Sequence, residues 1–341
     1  MAKLFTFSII FTIIVCVLSP ALFGEKLATL PEIKTPKNLL VDQTHLYVME
    51  NATVYIYSLK DFTFLTKFGR LGQGPQEFHT LPHIPISVDA STDKLVVGSI
   101  RKISYFTKEG EFISEKRAKS NVMNIRLNGD GFLGWTVIND KGISYSTVNL
   151  YDSELNKLRE VFRLKDSFQA PGKGYQVLHN VFTYYSINNR IILPGEDSAS
   201  IDIFDNEMKK VASIRLDQKK IKVDDEFKRK ITNDFKTNPE TKEVYPMLKP
   251  LIFDTYFPVI ADFFVDSQDG GIIYVMTWKR ENGGNEFYIY DLNGKFKKKA
   301  IIPIRYETEM SPYPASVQNG ILYQLVENEN EIWEFHASPI S

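Results

Sequence analysis

The chain has 341 residues, of which 43% are hydrophobic, 13% aromatic and 24% charged, and these proportions exclude a disordered, collagen-like or wholly membrane-embedded protein. Its 41 basic and 42 acidic side chains give a formal net charge of -1, so no electrostatic attraction to nucleic acid or to an anionic membrane is expected. The length is compatible with several average domains or with one large all-β domain.

The first 21 residues have the pattern of a signal peptide. Lys3 supplies a short basic start, the segment from Leu4 to Leu18 is almost entirely apolar, and the small residues Ser19 and Ala21 follow. We therefore expect cleavage after residue 21, export to the periplasm, the cell surface or the medium, and no membrane span in the mature chain. An uncleaved membrane anchor is the alternative.

The only cysteine, Cys16, lies within this segment, so the mature protein is expected to lack thiols and disulfides. Lipidation of Cys16 is a further alternative. However, the preceding residues Ile13, Ile14 and Val15 do not include the small residue expected ahead of a lipoprotein cysteine.

From residue 36 onward, short runs of alternating apolar residues are separated by clusters of Gly, Asn, Asp and Pro, which is typical of half-buried strands. A hairpin pattern recurs six times along the chain. Its members recur at intervals of about 45 residues, the length of one four-stranded propeller blade, with one large insertion after the fourth. Each copy has one anchor aromatic residue: Tyr57, Phe106, Tyr151, Phe204, Tyr290 and Phe335.

A second short motif precedes each hairpin, and its carboxylate or amide side chain is expected to bond the backbone two residues on in a tight turn. The six copies are Leu40-Val41-Asp42, Ser87-Val88-Asp89, Arg126-Leu127-Asn128, Ser186-Ile187-Asn188, Phe264-Val265-Asp266 and Ser316-Val317-Gln318. Together the two motifs predict an all-β fold, a six-bladed β-propeller of four-stranded antiparallel blades spanning residues 22–341. The segment from Lys26 to Ile33 is expected to supply the missing outer strand of the last blade and so close the ring.

The large insertion, at about residues 217–258, lies between blades 4 and 5. Phe227, Ile231 and Phe235 recur every four residues behind Asp224 and Asp225, which predicts a short amphipathic helix with an acidic start. This helix could lie across the mouth of the central channel or cover an exposed blade edge. The residues from Tyr245 to Pro250 are expected to form an extended linker.

One motif carries a family resemblance. The segment from Phe68 to Phe78 reads F-G-R-L-G-Q-G-P-Q-E-F and resembles the F-G-x-x-G-x-G-P-x-E-F signature of bacterial six-bladed β-propeller proteins related to NHL repeats. The resemblance implies a propeller fold in a protein that is secreted or attached to the surface. Within the motif, Gly69, Gly72 and Gly74 are expected to adopt backbone angles that other residues avoid, as a tight crossover between blades requires.

If each blade runs from the axis outward, the crossovers between blades and the middle turn of each blade share one face, which we call the loop face. Clustered Arg and aromatic side chains there could stack on sugars and pair with carboxylates. The alternative is that Arg70 and Glu77 only pair with each other. The candidate ligand-binding residues on the loop face are Arg70, Gln73, Glu77, His79, His83, Arg101, His179, Trp278 and Arg280.

The sequence contains no G-x-S-x-G elbow, P-loop or H-E-x-x-H motif, and Leu81-Pro82 prevents His79 and His83 from sharing a helix face. We therefore predict no catalytic residue, metal ligand or cofactor. The predicted function is that of an exported, monomeric, non-catalytic protein that binds a ligand, glycan, peptide or partner protein. The alternative is a propeller hydrolase or lyase with an axial site, with or without a metal, because the sequence cannot fix which inner-strand side chains face the axis.

Overall fold

Strand formation dominates the fold, as the alternating pattern predicts. The computed structural model describes residues 24–80, 85–167, 172–179, 181–239, 241–267 and 270–340, and within these ranges the main strands form six four-stranded antiparallel sheets. The predicted six-bladed β-propeller is therefore confirmed. The predicted signal peptide and His83 lie outside the described residues.

The strands are numbered in chain order, and the first is β1 (Glu25–Thr29). Blade 1 contains β2 (Asn38–Val41), β3 (His45–Glu50), β4 (Thr53–Ser58) and β5 (Phe64–Phe68). The crossover that follows contains β6 (Arg70–Leu71) and β7 (Glu77–Phe78). Blade 2 contains β8 (Ser87–Ala90), β9 (Lys94–Ser99), β10 (Lys102–Thr107) and β11 (Phe112–Arg117). Blade 3 contains β12 (Met123–Asn128), β13 (Gly131–Asp140), β14 (Ile143–Tyr151) and β15 (Lys157–Lys165).

After the short β16 (Tyr175–Gln176), blade 4 contains β17 (Tyr185–Ile187), β18 (Arg190–Pro194), β19 (Ser200–Asp205) and β20 (Lys210–Arg215). The insertion contains α1 (Asp225–Thr237), α2 (Tyr245–Leu248) and β21 (Leu251–Ile252). Blade 5 contains β22 (Ile260–Asp266), β23 (Ile272–Glu281), β24 (Gly284–Asp291) and β25 (Phe296–Ile302). Blade 6 contains β26 (Ala315–Gln318), β27 (Ile321–Glu327) and β28 (Trp333–Pro339), and β1 is its fourth strand.

The hydrophobic core lies mainly between neighbouring blades. Between blades 1 and 2, for example, Tyr47 and Val54 pack with Phe78 and Phe106. All six anchor aromatics lie on the third strand of a blade, and five are buried while Phe204 is half-buried. The repeated hairpin pattern therefore reflects one equivalent position per blade, which is buried in five of the six blades.

The chain ends close the ring as predicted. Strand β1 pairs antiparallel with β28, placing Glu25 opposite Ala337 and Thr29 opposite Glu334. We call this contact between the two ends of the chain the seam. The fully buried Leu30 extends it, and the backbone N–H of Leu30 donates to the carbonyl of Trp333 at 2.8 Å. The pairing covers the edge of β28, which would otherwise present unpaired backbone groups.

The glycine-rich crossover forms a small closed loop, in which β6 pairs in parallel with β7 and Phe78 is fully buried. Gly69 has a φ of +86° and Gly72 a φ of +155°, as expected for positions that favour glycine. For Gly74 the prediction of an unusual backbone angle is wrong, because its φ is not positive. Its amide donates to the Glu77 carboxylate at 2.9 Å, so a hydrogen bond holds the backbone there.

The polar residues of the second motif do more than form local turns. Asp42 accepts from the Thr44 amide at 2.8 Å, as expected. The local prediction is wrong for Asp89, which accepts from Leu127 in blade 3 at 2.8 Å. Asp266 also accepts across a blade boundary, from Gly320 in blade 6 at 2.7 Å. These carboxylates join neighbouring blades because each turn lies beside the inner strand of the next blade.

The insertion contains the predicted helix α1. Asp224 caps it by accepting from the Phe227 amide at 2.8 Å, and Ile231 is its buried residue. The prediction of an extended linker is wrong for Tyr245–Leu248, which forms the helical turn α2. Pro246 is compatible with that turn because a first-turn residue needs no intrahelical N–H bond.

Candidate functional site

A cavity of about 950 Å³ lies on the propeller axis, and its volume is within the usual range of ligand pockets, about 300–1,000 Å³. The innermost strand of every blade contributes to its wall. One residue from each, in blade order, is Leu40, Asp89, Arg126, Tyr185, Asp262 and Ser316. We call this space the axial cavity.

The axial cavity reaches the molecular surface on the face opposite the loop face, where the first turn of each blade lies. Gln43, Thr44 and Thr92 line it there and are exposed. An ion pair of 2.7 Å between Lys108 and Asp42 also borders this end. Burial raises the pKa of Asp42, but Lys108 and backbone amides outweigh this effect and leave the pKa below its ordinary value.

Arg126 is the notable cation of the cavity wall. It is half-buried, and its guanidinium lies over the ring of Tyr185 at 5.6 Å from the ring centroid. Within the described part of the chain, its buried Nε has no hydrogen-bond partner, and no carboxylate pairs with the guanidinium within 4.0 Å. Arg126 thus brings to the cavity wall a positive charge and a donor, the Nε, without a partner in the described structure.

Two carboxyl groups share the cavity with Arg126. Asp89 accepts from the Ala90 amide with one oxygen and from the Leu127 amide with the other. Burial raises its pKa, and the charge of Arg126 opposes that shift. Both oxygens of Asp89 thus accept from backbone amides, and the bond to Leu127 joins blades 2 and 3.

Asp262 is held differently. One of its oxygens accepts from the Thr183 hydroxyl and from the Phe263 amide, both at 2.8 Å. Burial nevertheless raises the pKa of Asp262 to about 6. The neighbouring Tyr185 has its pKa raised first by burial and then by the charge of Asp262, so its phenol remains protonated at neutral pH.

Replacing Asp262 with Asn is expected to stabilise the protein at pH 7.5 by up to about 3 kcal/mol and to have little effect near pH 4. The native carboxyl has its pKa raised from 3.8 to about 6, so the folded state binds the extra proton and loses stability as the pH rises through that window. Asparagine keeps the acceptor for Thr183 and Phe263 without the charge. Thermal melting at both pH values measures the change in stability, with the exposed Asp130→Asn as the control. An equal gain in stability at both pH values would contradict the prediction.

The predicted residues of the first crossover lie together at the surface. Arg70 donates to Glu77 at 2.9 Å, so the pairing considered as the alternative is present. The pKa of Glu77 is lowered by the Gly74 amide and then by Arg70. Gln73 accepts from Arg117 through its carbonyl at 2.9 Å, while His79 and Arg101 are exposed.

The remaining predicted residues lie elsewhere. His179 is exposed between blades 3 and 4. Trp278 lines the axial cavity, and Arg280 stacks on Tyr306, another cavity residue, at 3.8 Å from the ring centroid. Because blade 5 lies across the ring from blade 2, the structure does not bring the predicted residues into one site.

The insertion packs against the wall of the axial cavity on the loop-face side. Phe227 of α1 contacts Phe257, which stacks on Trp278, and each pair of ring centroids is 4.8 Å apart. Lys230 of α1 pairs with Glu309 at 2.9 Å. No described residue of the insertion lines the cavity itself, so α1 borders this end rather than crossing it.

The axial residues Asp89, Arg126, Tyr185 and Asp262 are absent from the sequence-based candidates. One signal was visible, because Arg126 occupies the first position of the second motif, where other copies carry Ser, Leu or Phe. Among the described residues, no group of three or more His, Cys, Asp and Glu side chains is placed to hold a metal ion. The described helices include none long and apolar enough to cross a bilayer.

Comparisons with known proteins agree with the architecture. The model of a family described as "6-bladed beta-propeller" matches residues 31–238, more than half of the chain. No curated protein sequence matches. A crystal structure of a predicted exported protein from Bacteroides fragilis NCTC 9343 is similar, with a TM-score of 0.53, 11% identity, and coverage of 92% of this chain and 93% of that one. A DUF4221 family member from Bacteroides vulgatus ATCC 8482 gives a TM-score of 0.47 at 11% identity, covering 93% and 95%.

Proposed function

Because the chain belongs to the DUF5128 family of six-bladed β-propellers, whose scaffold here encloses a polar cavity, we propose that it is an exported, non-catalytic binding protein that takes a small polar ligand into the axial cavity. The observation that carries the proposal is the convergence of all six innermost strands on one cavity whose wall includes Arg126, a cation with no ion-pair partner among the described residues. Such a convergence of a few polar groups in a concave site is typical of ligand binding.

The axial cavity is a better candidate than the loop face. On the loop face Arg70 and Glu77 satisfy each other, whereas Arg126 and Trp278 of the cavity wall carry buried donors, Nε and Nε1, without partners among the described residues. Buried donors without partners are costly, and a ligand acceptor would remove that cost. Trp278 is the sequence-predicted residue that also belongs to this site.

Export is supported by the signal-peptide pattern of residues 1–21 and by the predicted exported protein of similar fold. Strand β1 starts at Glu25, so cleavage after residue 21 would leave the ring-closing strand intact. Protein secreted in its native host is expected to begin near Leu22.

A thermal-shift panel of glucose, galactose, N-acetylglucosamine, glucuronate, galacturonate, glutamate and citrate tests the axial assignment. We expect a compound that stabilises the wild type to lose at least tenfold in affinity in Arg126→Ala, measured by calorimetry. The matched control is Arg70→Ala, which removes an exposed arginine of the loop face and should leave affinity unchanged. Loss in Arg70→Ala with retention in Arg126→Ala would return the site to the loop face.

A hydrolase or lyase is the second candidate, and the observation that favours it is Asp262. A carboxyl with a pKa of about 6 in a cavity beside a phenol has the properties of a general acid or base. This candidate predicts that a bound saccharide is turned over and that Asp262→Asn abolishes turnover while it preserves binding. Binding without turnover supports the non-catalytic role.

A further inference from the structure

We propose that the ligand of the axial cavity is an acidic saccharide whose carboxylate binds the guanidinium of Arg126. The inference rests on the proposed axial binding and specifies its ligand class. It depends on three features of the cavity: the charge that is left unpaired, the orientation of the group that carries it, and the side chains that surround it.

Arg126 is the arginine of the cavity wall and carries a buried donor, its Nε, without a partner among the described residues. Two further cations line the cavity, Lys37 and Lys108, and Lys108 already pairs with Asp42 at 2.7 Å. Asp89 uses both oxygens on backbone amides, and Asp262 accepts two hydrogen bonds from protein groups. Arg126 has no ion-pair partner among the described residues, so a ligand anion is the charge that complements its guanidinium.

The guanidinium is also held in place for such a ligand. Its contact with the ring of Tyr185, at 5.6 Å from the ring centroid, restrains its orientation without using a hydrogen-bond donor. A planar guanidinium binds a carboxylate through two parallel hydrogen bonds, an arrangement that an ammonium group cannot reproduce. A carboxylate is therefore favoured over a single-acceptor group.

The rest of the wall suits a hydroxyl-rich ring rather than an alkyl acid. Phe182, Trp278 and Tyr306 provide aromatic surface, and Trp278 has a buried donor without a partner in the described structure. Hydroxyl and amide groups also line the cavity. They belong to Asn38, Asn124, Thr183, Ser186 and Ser316. Aromatic faces, together with amide and hydroxyl groups, match the alternating C–H and O–H groups of a sugar ring.

The test uses two pairs of sugars that differ only in the group at C6: galacturonate with galactose, and glucuronate with glucose. Calorimetry on the mature wild-type protein is expected to show that at least one uronate binds ten times or more tightly than its neutral partner. Arg126→Gln should weaken uronate binding by about ten- to a hundredfold, the value of a hydrogen-bonded charge, and Arg126→Lys by less. Arg70→Gln is the control variant, and unchanged melting of Arg126→Gln shows that it folds.

Three results would overturn the inference: equal affinity for a uronate and its neutral partner, uronate binding that survives Arg126→Gln, or no binding of either uronate at millimolar concentration. Each can be separated from failure of the proposed function. If a neutral sugar or another panel compound binds and loses affinity in Arg126→Ala, axial binding stands and only the acidic class is wrong. If binding depends on Arg70 instead, both proposals fail.

Discussion

A chain that begins at residue 31, and so lacks β1 and Leu30, is expected to melt at least about 10 °C below a chain that begins at Gly24. The deletion removes the backbone pairing with β28 and the fully buried side chain of Leu30. A buried leucine alone is worth about 2–5 kcal/mol and each lost hydrogen bond about 1 kcal/mol, against a total stability of about 5–15 kcal/mol. Differential scanning calorimetry of the two chains measures the difference.

Side-chain contacts at the same seam add to the stability that the shorter chain is expected to lose. The Glu334 carboxylate accepts from Lys26 at 2.7 Å and from Asn328 at 2.9 Å, and lies 3.0 Å from His336. Burial raises the pKa of Glu334, but these three partners outweigh it and hold the pKa at about 2. The Glu334 carboxylate is therefore charged at neutral pH, at which the calorimetry is to be done. In the shorter chain this carboxylate no longer has Lys26 as a partner.

The truncation also leaves the edge of β28 unpaired, so the shorter chain should associate at concentrations at which the control remains monomeric. Light scattering gives this second readout. The control chain retains Gly24, whose carbonyl lies 3.2 Å from His336 Nδ1, so it preserves the whole seam. Melting within about 2 °C of the control would show that the ring does not depend on its closing strand.

Gly69→Ala is expected to destabilise the protein by about 2–5 kcal/mol. The φ of Gly69 is +86°, and an added Cβ would lie 2.4 Å from the Phe78 ring and 2.6 Å from the carbonyl oxygen of Ala52. Phe78 is fully buried against Phe68 and Phe106, so its ring cannot move without disturbing the core between blades 1 and 2. Urea unfolding at constant pH measures the loss.

Gly142→Ala is the matched control because Gly142 has a similar φ of +82° but nothing within 4 Å of an added Cβ. It should show only the backbone cost, about 1 kcal/mol. The difference in unfolding free energy between the two variants then measures the cost of the contact between the added methyl group and its neighbours Phe78 and Ala52. Equal losses of stability in both variants would mean that the crossover rearranges to accommodate the extra methyl group.

The fold was largely predictable because each blade repeats the same arrangement of exposed and buried residues. In each blade the anchor aromatic residue marks the third strand. The extended segment before blade 1 indicates the strand that closes the ring. The helix α1 was also predictable, since its cap and its apolar spacing are local properties. The turn α2 was not, because a proline-containing segment can be extended or can start a helix.

The site was much less accessible to sequence reasoning. The loop-face residues were selected by residue type. The structure places those it describes in different parts of the ring, with Arg70 and Glu77 paired. The cavity residues Arg126, Tyr185 and Asp262 come from three different blades, and nothing local marks their proximity. A shift of one residue in the register of an inner strand would turn its side chain away from the axis.

The sequence by itself thus determined the strand pattern, the number of blades, the closure and the position of the helix, because these follow from periodicity and local capping. Only the tertiary structure decided which polar side chains meet on the axis. It also decided that Asp89 and Asp266 join blades, while the Nε of Arg126 has no partner among the described residues. The physical reason is that pairing and burial depend on distances between residues far apart in the chain, which the closed ring alone sets.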